Sequence, residues 1–432
     1  MKKTFLIETL GCKVNQYESE AIRETLIGQG YAETKDGQVP DIAVFNTCCV
    51  THLAERKSRQ AIRKYTRMVP KPTIAVLGCY SQIAPGDIEK IEGVNIIMGT
   101  RDKAGLKSLL KRIESGEIFV FEDCPLIEDT YEDISLNEHE GKTRAFIKIQ
   151  DGCDNFCSYC IIPYTRGRSR SRPFESIMKE SMLLAERGYS EVVLIGIQSA
   201  FYGKDLESDI ELVDLVEALS GIDGINRIRL GSCEPTYFTE DRLKRLVQIK
   251  KFCPHFHLSL QSGSDSVLKA MNRKYTREQY SKIMDDIRNI FDNPAVTTDL
   301  IVGFPGETDE SFEETLSYIR EMAFKDIHVF RYSKRKGTAA AGMPKHVNPS
   351  VAKSRSFAAI KCASECAKDF AQSQIGREEQ VLFENICKEG IWEGHCINFT
   401  KVRVESEEIL SGQIRRVRLN CADADVIFGE IV

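Results

Sequence analysis

Apolar runs alternate with amphipathic stretches along most of the chain, and the period of that alternation changes along it. In residues 1–113 the runs Thr4-Phe5-Leu6-Ile7-Glu8-Thr9-Leu10, Asp41-Ile42-Ala43-Val44-Phe45-Asn46 and Thr73-Ile74-Ala75-Val76-Leu77-Gly78 read as strands. Helices are expected near 16–29 and from about Leu53, and a short apolar pair near Asn95-Ile96-Ile97-Met98 completes a βαβ pattern. The expectation is an open parallel α/β domain. Each of the three strands runs into a loop carrying a cysteine: Cys12, Cys48 (with Cys49 beside it) and Cys79. Ligands collect at the carboxyl ends of strands in open α/β sheets, so three thiols arriving there look like a site.

After Gly141 a second alternation begins. Apolar runs at 144–149, 191–195, 227–230, 256–260, 296–301 and 327–332 are separated by helix-like segments near 174–187, 209–219, 239–250, 276–291 and 309–322. Six repeated βα units indicate an all-parallel sheet, too few for a closed eight-strand barrel, and predict an open partial (β/α)6 barrel over 141–372. From about Gln374 the runs shorten, at 380–383, 395–399, 401–404, 413–419 and 426–431, between Gly, Asn and Asp. Residues 373–432 therefore read as a small all-β barrel. Between the first two regions, 114–140 hold ten Asp or Glu and no Lys or Arg, a self-repelling stretch expected to be a linker.

Composition narrows the class. The 432 residues are 42% hydrophobic and 28% charged, ordinary for a globular protein with more than one core. No run approaches the roughly 18 apolar residues of a membrane helix, so no membrane partner is expected. Met1-Lys2-Lys3-Thr4 leads straight into the first strand, which points to the cytoplasm. Fifteen cysteines without a secretory signal favour metal or redox chemistry over a disulfide framework. The net charge of −5 excludes a wholly basic nucleic-acid binder but leaves room for a local basic groove.

The sharpest feature is Asp151-Gly152-Cys153-Asp154-Asn155-Phe156-Cys157-Ser158-Tyr159-Cys160, directly after the first strand of the middle region. Thiolates of Cys153, Cys157 and Cys160 can hold three irons of a four-iron cluster and leave the last with an open position. A structural zinc site would want four closed ligands, usually two C-x2-C units, and this segment supplies one.

This segment resembles the radical S-adenosylmethionine superfamily, and the likeness extends over essentially the whole chain. Leu10-Gly11-Cys12-Lys13-Val14-Asn15, Asn46-Thr47-Cys48-Cys49-Val50-Thr51 and Leu77-Gly78-Cys79-Tyr80-Ser81-Gln82 are similar to the amino-terminal domain of the methylthiotransferase family. Its middle domain is resembled by His257-Leu258-Ser259-Leu260-Gln261-Ser262-Gly263 and Thr298-Asp299-Leu300-Ile301-Val302-Gly303-Phe304-Pro305-Gly306. The final residues are similar to its TRAM module, a small RNA-binding barrel. The Leu-Gly-Cys-Lys-Val-Asn string resembles the branch acting on threonylcarbamoyladenosine in tRNA. Alternative targets are isopentenyladenosine tRNA and a ribosomal protein, and an alternative of another class is a non-catalytic iron–sulfur RNA-binding redox sensor.

The resemblance implies two 4Fe–4S clusters, the second held by Cys12, Cys48 and Cys79 and carrying the sulfur, with Cys49 as an alternative thiolate to Cys48. It implies S-adenosylmethionine, two molecules per methylthio group, bound to the open iron of the first cluster. Tyr159, Gly196, Gln198, Gln261 and Asp299 are the expected cofactor contacts. The implied partners are the anticodon stem-loop of tRNA, an electron donor such as a flavodoxin-type reductase, and a sulfur donor.

Two basic runs flank these sites and are expected to meet RNA phosphates. From His52 to Lys71 seven Lys or Arg face one Glu, and Arg56, Lys57, Arg59, Arg63 and Lys64 are the candidates there. Arg166, Arg168, Arg170 and Arg172 follow the triplet. Over 373–432 the net charge is 7 − 11 = −4, yet Lys401, Arg403, Arg415, Arg416 and Arg418 are expected to share a face, with Phe399 and Trp392 available to stack a base.

Overall fold

The computed structural model describes residues 2–35, 38–101, 119–120, 130–136, 138 and 143–432. The expected acidic linker at 114–140 lies mostly outside the described residues. The chain divides into two compact units: 1–137 with 148–180 and 333–341, and 138–147 with 181–332 and 342–432.

The first unit is built on a six-stranded parallel sheet, in the spatial order Ala32–Glu33, Thr4–Thr9, Ile42–Thr47, Thr73–Gly78, Ile96–Ile97, Phe119–Val120. Alternation along the central strands sends side chains to two cores, as a parallel sheet covered on both faces requires. Val44, Ala75 and Leu77 pack with Ile22 and Leu26 on one face, while Phe45, Ile74 and Val76 pack with Ile62 and Tyr65 on the other. Three strands thus deliver their following residues to one edge: Cys12 caps helix Lys13–Gly28, Cys48 follows Thr47, and Cys79 opens helix Cys79–Ile83.

In the second unit, parallel strands Arg144–Lys148, Glu191–Ile195 and Arg227–Leu230 form one sheet, and His255–Leu258, Ala295–Val302 and Asp326–Arg331 belong to another. A parallel bridge between Ile228 and Phe252 joins the two series, so the six expected strands stand side by side in chain order as a partial barrel. The bounds agree with the apolar runs to within a residue or two. One long element, helix Pro349–Ser373, is marked in the sequence only by the i,i+4 spacing of Cys362 and Cys366 on a probable helix, because its buried side consists of small residues and cysteines (Ala352, Ala359, Cys362, Ala363, Cys366) that carry little apolar signal. The Cys362 and Cys366 thiols point at the carbonyls of Leu316 and Ile319, so this pair serves packing.

Strands Glu378–Lys388, Ile391–Cys396, Lys401–Glu405, Val426–Ile431 and Ile414–Asp423 close into a five-stranded barrel. Trp392 is buried in its core among Val381, Phe383 and Val402, which removes it from base stacking. Phe399, at a backbone φ of 69°, stacks on His395 and His255 and lies under the guanidinium groups of Arg144 and Arg229. Arg227 donates to the carbonyls of His395 and Gln380, and Arg229 donates to that of Ile397. Phe399 is therefore a docking residue, because a cage of cations and rings already holds it. Glu191 balances these arginines: burial alone would raise its carboxyl, but Arg229 and Arg144 hold it down at about 2.

Two cysteine triads as candidate metal centres

Both expected triads lie in the first unit. Cys48 and Cys79 are buried, and Cys12 opens to the surface. Gly11 stands at φ +118°, where a side chain would put its Cβ 2.9 Å from the Cys48 Cβ and 3.2 Å from its sulfur, so only glycine lets the two loops meet. Asn15 ties this edge together. Its amide donates to the carbonyls of Leu10 and Thr47, just before the first and second cysteines, and its Oδ1 lies 3.7 Å from the Cys12 sulfur.

Burial pushes the Cys48 thiol up to about 12, with the nearby Cys79 adding to the rise. Cys79 moves the other way: a hydrogen bond from Cys49 lowers it, and Arg166 adds to the effect against the cost of burial. Cys49 is raised by the same bond and by burial, and its sulfur also contacts the Thr165 hydroxyl at 3.7 Å. Three thiols with no disulfide among them, two in a water-poor pocket, form a donor set suited to soft iron or zinc.

The second triad sits on a loop wound tightly around its own backbone. Gly152 stands at φ +73°, and a Cβ there would lie 1.8 Å from the Arg168 carbonyl oxygen, so the position requires glycine. The Cys153 amide donates to the Gly167 carbonyl, the Cys160 amide to the Cys157 carbonyl, and the Asn155 amide reaches the Cys153 sulfur at 3.5 Å. Cys157 is buried and its two companions half-buried, with Tyr159 half-buried between ligands. The loop is fastened further by the Ala340 amide, which donates to Ser158. The donor set fits a three-thiolate cluster site.

Buried ion pairs and arginine hydrogen bonds that the sequence does not mark as such hold these loops. Lys148, Asp151, Arg166 and Glu18 form a buried ion-pair group with contacts of 2.6–3.0 Å. Arg172 pairs with Glu180 and Asp133, and Arg170 donates to the carbonyls of Arg166 and Arg168. The expectation that Arg166, Arg170 and Arg172 contact RNA is thereby overturned: at 1%, 4% and 0% exposure they have no phosphate-facing surface. Arg168 is open, stacked on Phe156 and paired with Asp154. Of the helix His52–Tyr65, Arg56, Lys57, Arg63 and Lys64 are exposed, while Arg59 is half-buried and donates to the Tyr80 hydroxyl. Sequence reasoning missed the exposed Lys334 and Lys336, which Arg335 brings to this helix through its buried ion pair with Glu55. The basic triplet Lys334-Arg335-Lys336 was the available signal.

In the second unit the expected cofactor residues stand at or near the carboxyl ends of barrel strands. Gly196 and Gln198 follow Glu191–Ile195. The Gln198 amide is engaged at both ends by Glu234, accepting from its backbone N–H and donating to its carboxylate, and Arg273 pairs with the same carboxylate. Glu234 and Arg273 were not foreseen, although Glu234-Pro235 after the third strand is a visible mark. Gln261 sits at φ 69°, its backbone bonded to Asp299 and Ile301. The Asp299 carboxylate lies 3.2 Å from His257 and 3.3 Å from His328. His328 is raised to about 9, first by its bond to Asp299 and then by Asp326. Its charged form adds stability that is complete below the ordinary imidazole value of about 6.5 and is lost as pH climbs through about 9. Unfolding midpoints should thus fall on the alkaline side of neutrality, and His328→Gln should flatten that fall; an unchanged slope would contradict the pairing.

On the terminal barrel the expected basic face does not form. Arg415 shares the inward parity of Val417 while Arg416 and Arg418 point outward, and strand Val426–Ile431 separates them from Lys401 and Arg403. Arg403 is bound to Glu393, Arg416 and Arg418 to Glu378, and Lys401 lies 3.9 Å from Asp425.

Comparison with known proteins places these features in a class. Residues 147–319 match the radical SAM superfamily, and residues 4–99 match a group described as uncharacterized protein family UPF0004. The fold resembles that of the radical S-adenosylmethionine methyltransferase TsrM from Kitasatospora setae, with a TM-score of 0.56 at 14% identity over 77% of this chain and 75% of that one. Along the sequence, the chain is 37% identical to the threonylcarbamoyladenosine tRNA methylthiotransferase MtaB of Bacillus subtilis (strain 168), across 96% of this chain and 93% of that protein. It is 38% identical to a tRNA-2-methylthio-N(6)-dimethylallyladenosine synthase of Pelotomaculum thermopropionicum, across 88% and 87%. The chain belongs to the radical S-adenosylmethionine tRNA methylthiotransferase family. Membership implies S-adenosylmethionine and a 4Fe–4S cluster as cofactors and tRNA as substrate. No helix among the described residues is long and apolar enough to cross a membrane.

Proposed function

We propose that this protein methylthiolates C2 of N6-threonylcarbamoyladenosine next to the anticodon of tRNA, in the cytoplasm, consuming two S-adenosylmethionine molecules per product. The observation that carries this reading is the near full-length likeness to relatives bearing that name, joined to two separate cysteine triads. Dimethylallyladenosine is the second reading, favoured by the 38% identity to a synthase of that product.

Residues 1–113 are assigned the sulfur-carrying site, 141–372 the radical site and 373–432 the RNA module. Cys153, Cys157 and Cys160 would hold one 4Fe–4S cluster, and Cys12, Cys48 and Cys79 an auxiliary one. When bound, these groups supply a low-potential electron and an open iron for S-adenosylmethionine, and a place to hold the transferable sulfur. Cys48 is preferred to Cys49 as ligand because its sulfur lies against Gly11, beside Cys12, whereas the Cys49 sulfur faces the Thr165 hydroxyl. Gly196, Gln198, Gln261, Asp299 and Tyr159 are proposed contacts of S-adenosylmethionine. The rigid Glu234–Arg273 bracket would hold Gln198 so that its polar end keeps one orientation. A flavodoxin-type reductase and a separate sulfur donor are the proposed partners.

Arg56, Lys57, Arg63, Lys64, Arg168, Lys334 and Lys336 form the proposed phosphate-binding surface. Arg63→Glu with Lys64→Glu should weaken tRNA binding and lower the salt slope by about one for each phosphate that is no longer neutralised. Binding unchanged in strength and slope would exclude this helix from the interface. The functional test is nucleoside mass spectrometry of tRNA from a strain lacking the gene, with and without the gene restored. Loss and return of the 2-methylthio derivative of threonylcarbamoyladenosine is expected; loss of the dimethylallyl derivative instead would install the second reading.

A further inference from the structure

We infer that Arg166 is a positioning residue for the auxiliary cluster, its buried guanidinium setting the charge presented to the sulfurs of Cys12, Cys48 and Cys79. The inference rests on the proposal that this triad holds a cluster.

The geometry begins with Arg166 itself, 1% exposed and therefore closed to RNA. Its Nη1 lies 2.9 Å from Glu18 and 3.0 Å from Asp151, and its Nη2 donates to Asn15 Oδ1 at 2.9 Å. The same Asn15 oxygen faces the Cys12 sulfur, and the Asn15 amide holds the backbones that lead into Cys12 and Cys48. The Arg166 charge acts electrostatically on Cys79, Cys12 and Cys48, lowering each thiol against the cost of burial. One group therefore polarises all three thiols and, through Asn15, braces the loops that carry two of them. Its Nε–H is buried and has no hydrogen-bond partner among the described residues. An unmatched donor in such a place costs free energy unless an acceptor arrives, and the sulfurs of a bound cluster are acceptors of the right kind.

The surrounding charges show why an arginine is needed. Lys148 and Arg166 balance Glu18 and Asp151 before any metal is bound. Three thiolates then add negative charge to a buried pocket, and the guanidinium is the cation that reaches them. Buried ion pairs of this sort contribute little net stability, so a role in the site explains them better than folding does. Hydrogen bonds and positive charge at cluster sulfurs favour the reduced state, and Glu18 opposes that effect from the other side of the guanidinium.

The test uses full-length protein carrying Cys153→Ala, Cys157→Ala and Cys160→Ala, reconstituted anaerobically, so that any remaining cluster is the auxiliary one. Against this parent, Arg166→Gln should lower the reduction equilibrium about tenfold, or about 59 mV for a one-electron couple, in an EPR-monitored titration. Glu18→Gln should shift it the opposite way at equal iron content, and Arg166→Lys should stay nearer the parent. If Arg166→Gln does not fold, the upward shift in Glu18→Gln decides alone. Potentials unmoved, or moved in the same direction by both substitutions, overturn the inference. A parent that holds no cluster overturns instead the two-cluster reading beneath it.

Discussion

Cys157→Ala is expected to abolish formation of 5′-deoxyadenosine from S-adenosylmethionine, down to the level of protein without iron. Cys157 is the buried member of its triad, and its own carbonyl fixes the turn that presents Cys160. Two remaining thiolates cannot hold three corners of a cubane, so the iron that should chelate the cofactor is not positioned. Alanine fits the small buried space without a new polar group, which makes general unfolding a poor explanation for the loss. Iron content should fall by one four-iron cluster while far-ultraviolet circular dichroism stays put. Deoxyadenosine formed at the parent rate would remove the triplet from the mechanism.

The second large effect separates the two triads. Cys79→Ala should leave deoxyadenosine formation running and stop the methylthio product. Cys79 heads a helix at the end of strand Thr73–Gly78, and its thiol is the one already biased toward the thiolate by Cys49 and Arg166. Removing it takes a ligand from the sulfur-carrying site without touching the loop of the other triad. Cys49→Ala is the internal control: it removes a hydrogen-bond donor to Cys79 but no proposed ligand, so product should still form. A Cys79→Ala protein that yields product normally would refute the division of labour, and loss of product in Cys49→Ala alone would exchange the ligand assignment of Cys48 and Cys49.

Much of this molecule can be read from its sequence because parallel strands buried on both faces leave uninterrupted apolar runs. Ile42–Thr47 and Glu191–Ile195 are examples, and their bounds follow the runs closely. Cysteine spacing carried Cys153, Cys157 and Cys160 for a similar reason, since three ligands on one short loop are local in sequence. Cys12, Cys48 and Cys79 instead lie on three loops and are joined by the strands before them and by the family resemblance. Failures came where the deciding partner is distant. Arg166, Arg170 and Arg172 look like a solvated basic string, yet Glu18, Asp151 and Glu180 bury them, and none of those carboxylates is marked by spacing. The terminal barrel misled in another way: alternation places Arg403 and Arg418 outward, but only the closed strand order shows that carboxylates on neighbouring strands already answer them. Helix Pro349–Ser373 is legible only around Cys362 and Cys366, and its bounds are not, because alanine and cysteine make its core face.

The most direct test is anaerobic determination of iron and acid-labile sulfide per chain in the full-length protein, with zinc measured in the same sample, before and after replacing all three of Cys153, Cys157 and Cys160. The account predicts two four-iron clusters in the parent and one in the variant, with no stoichiometric zinc. Zinc in place of iron, or a single cluster lost entirely in the variant, would contradict it.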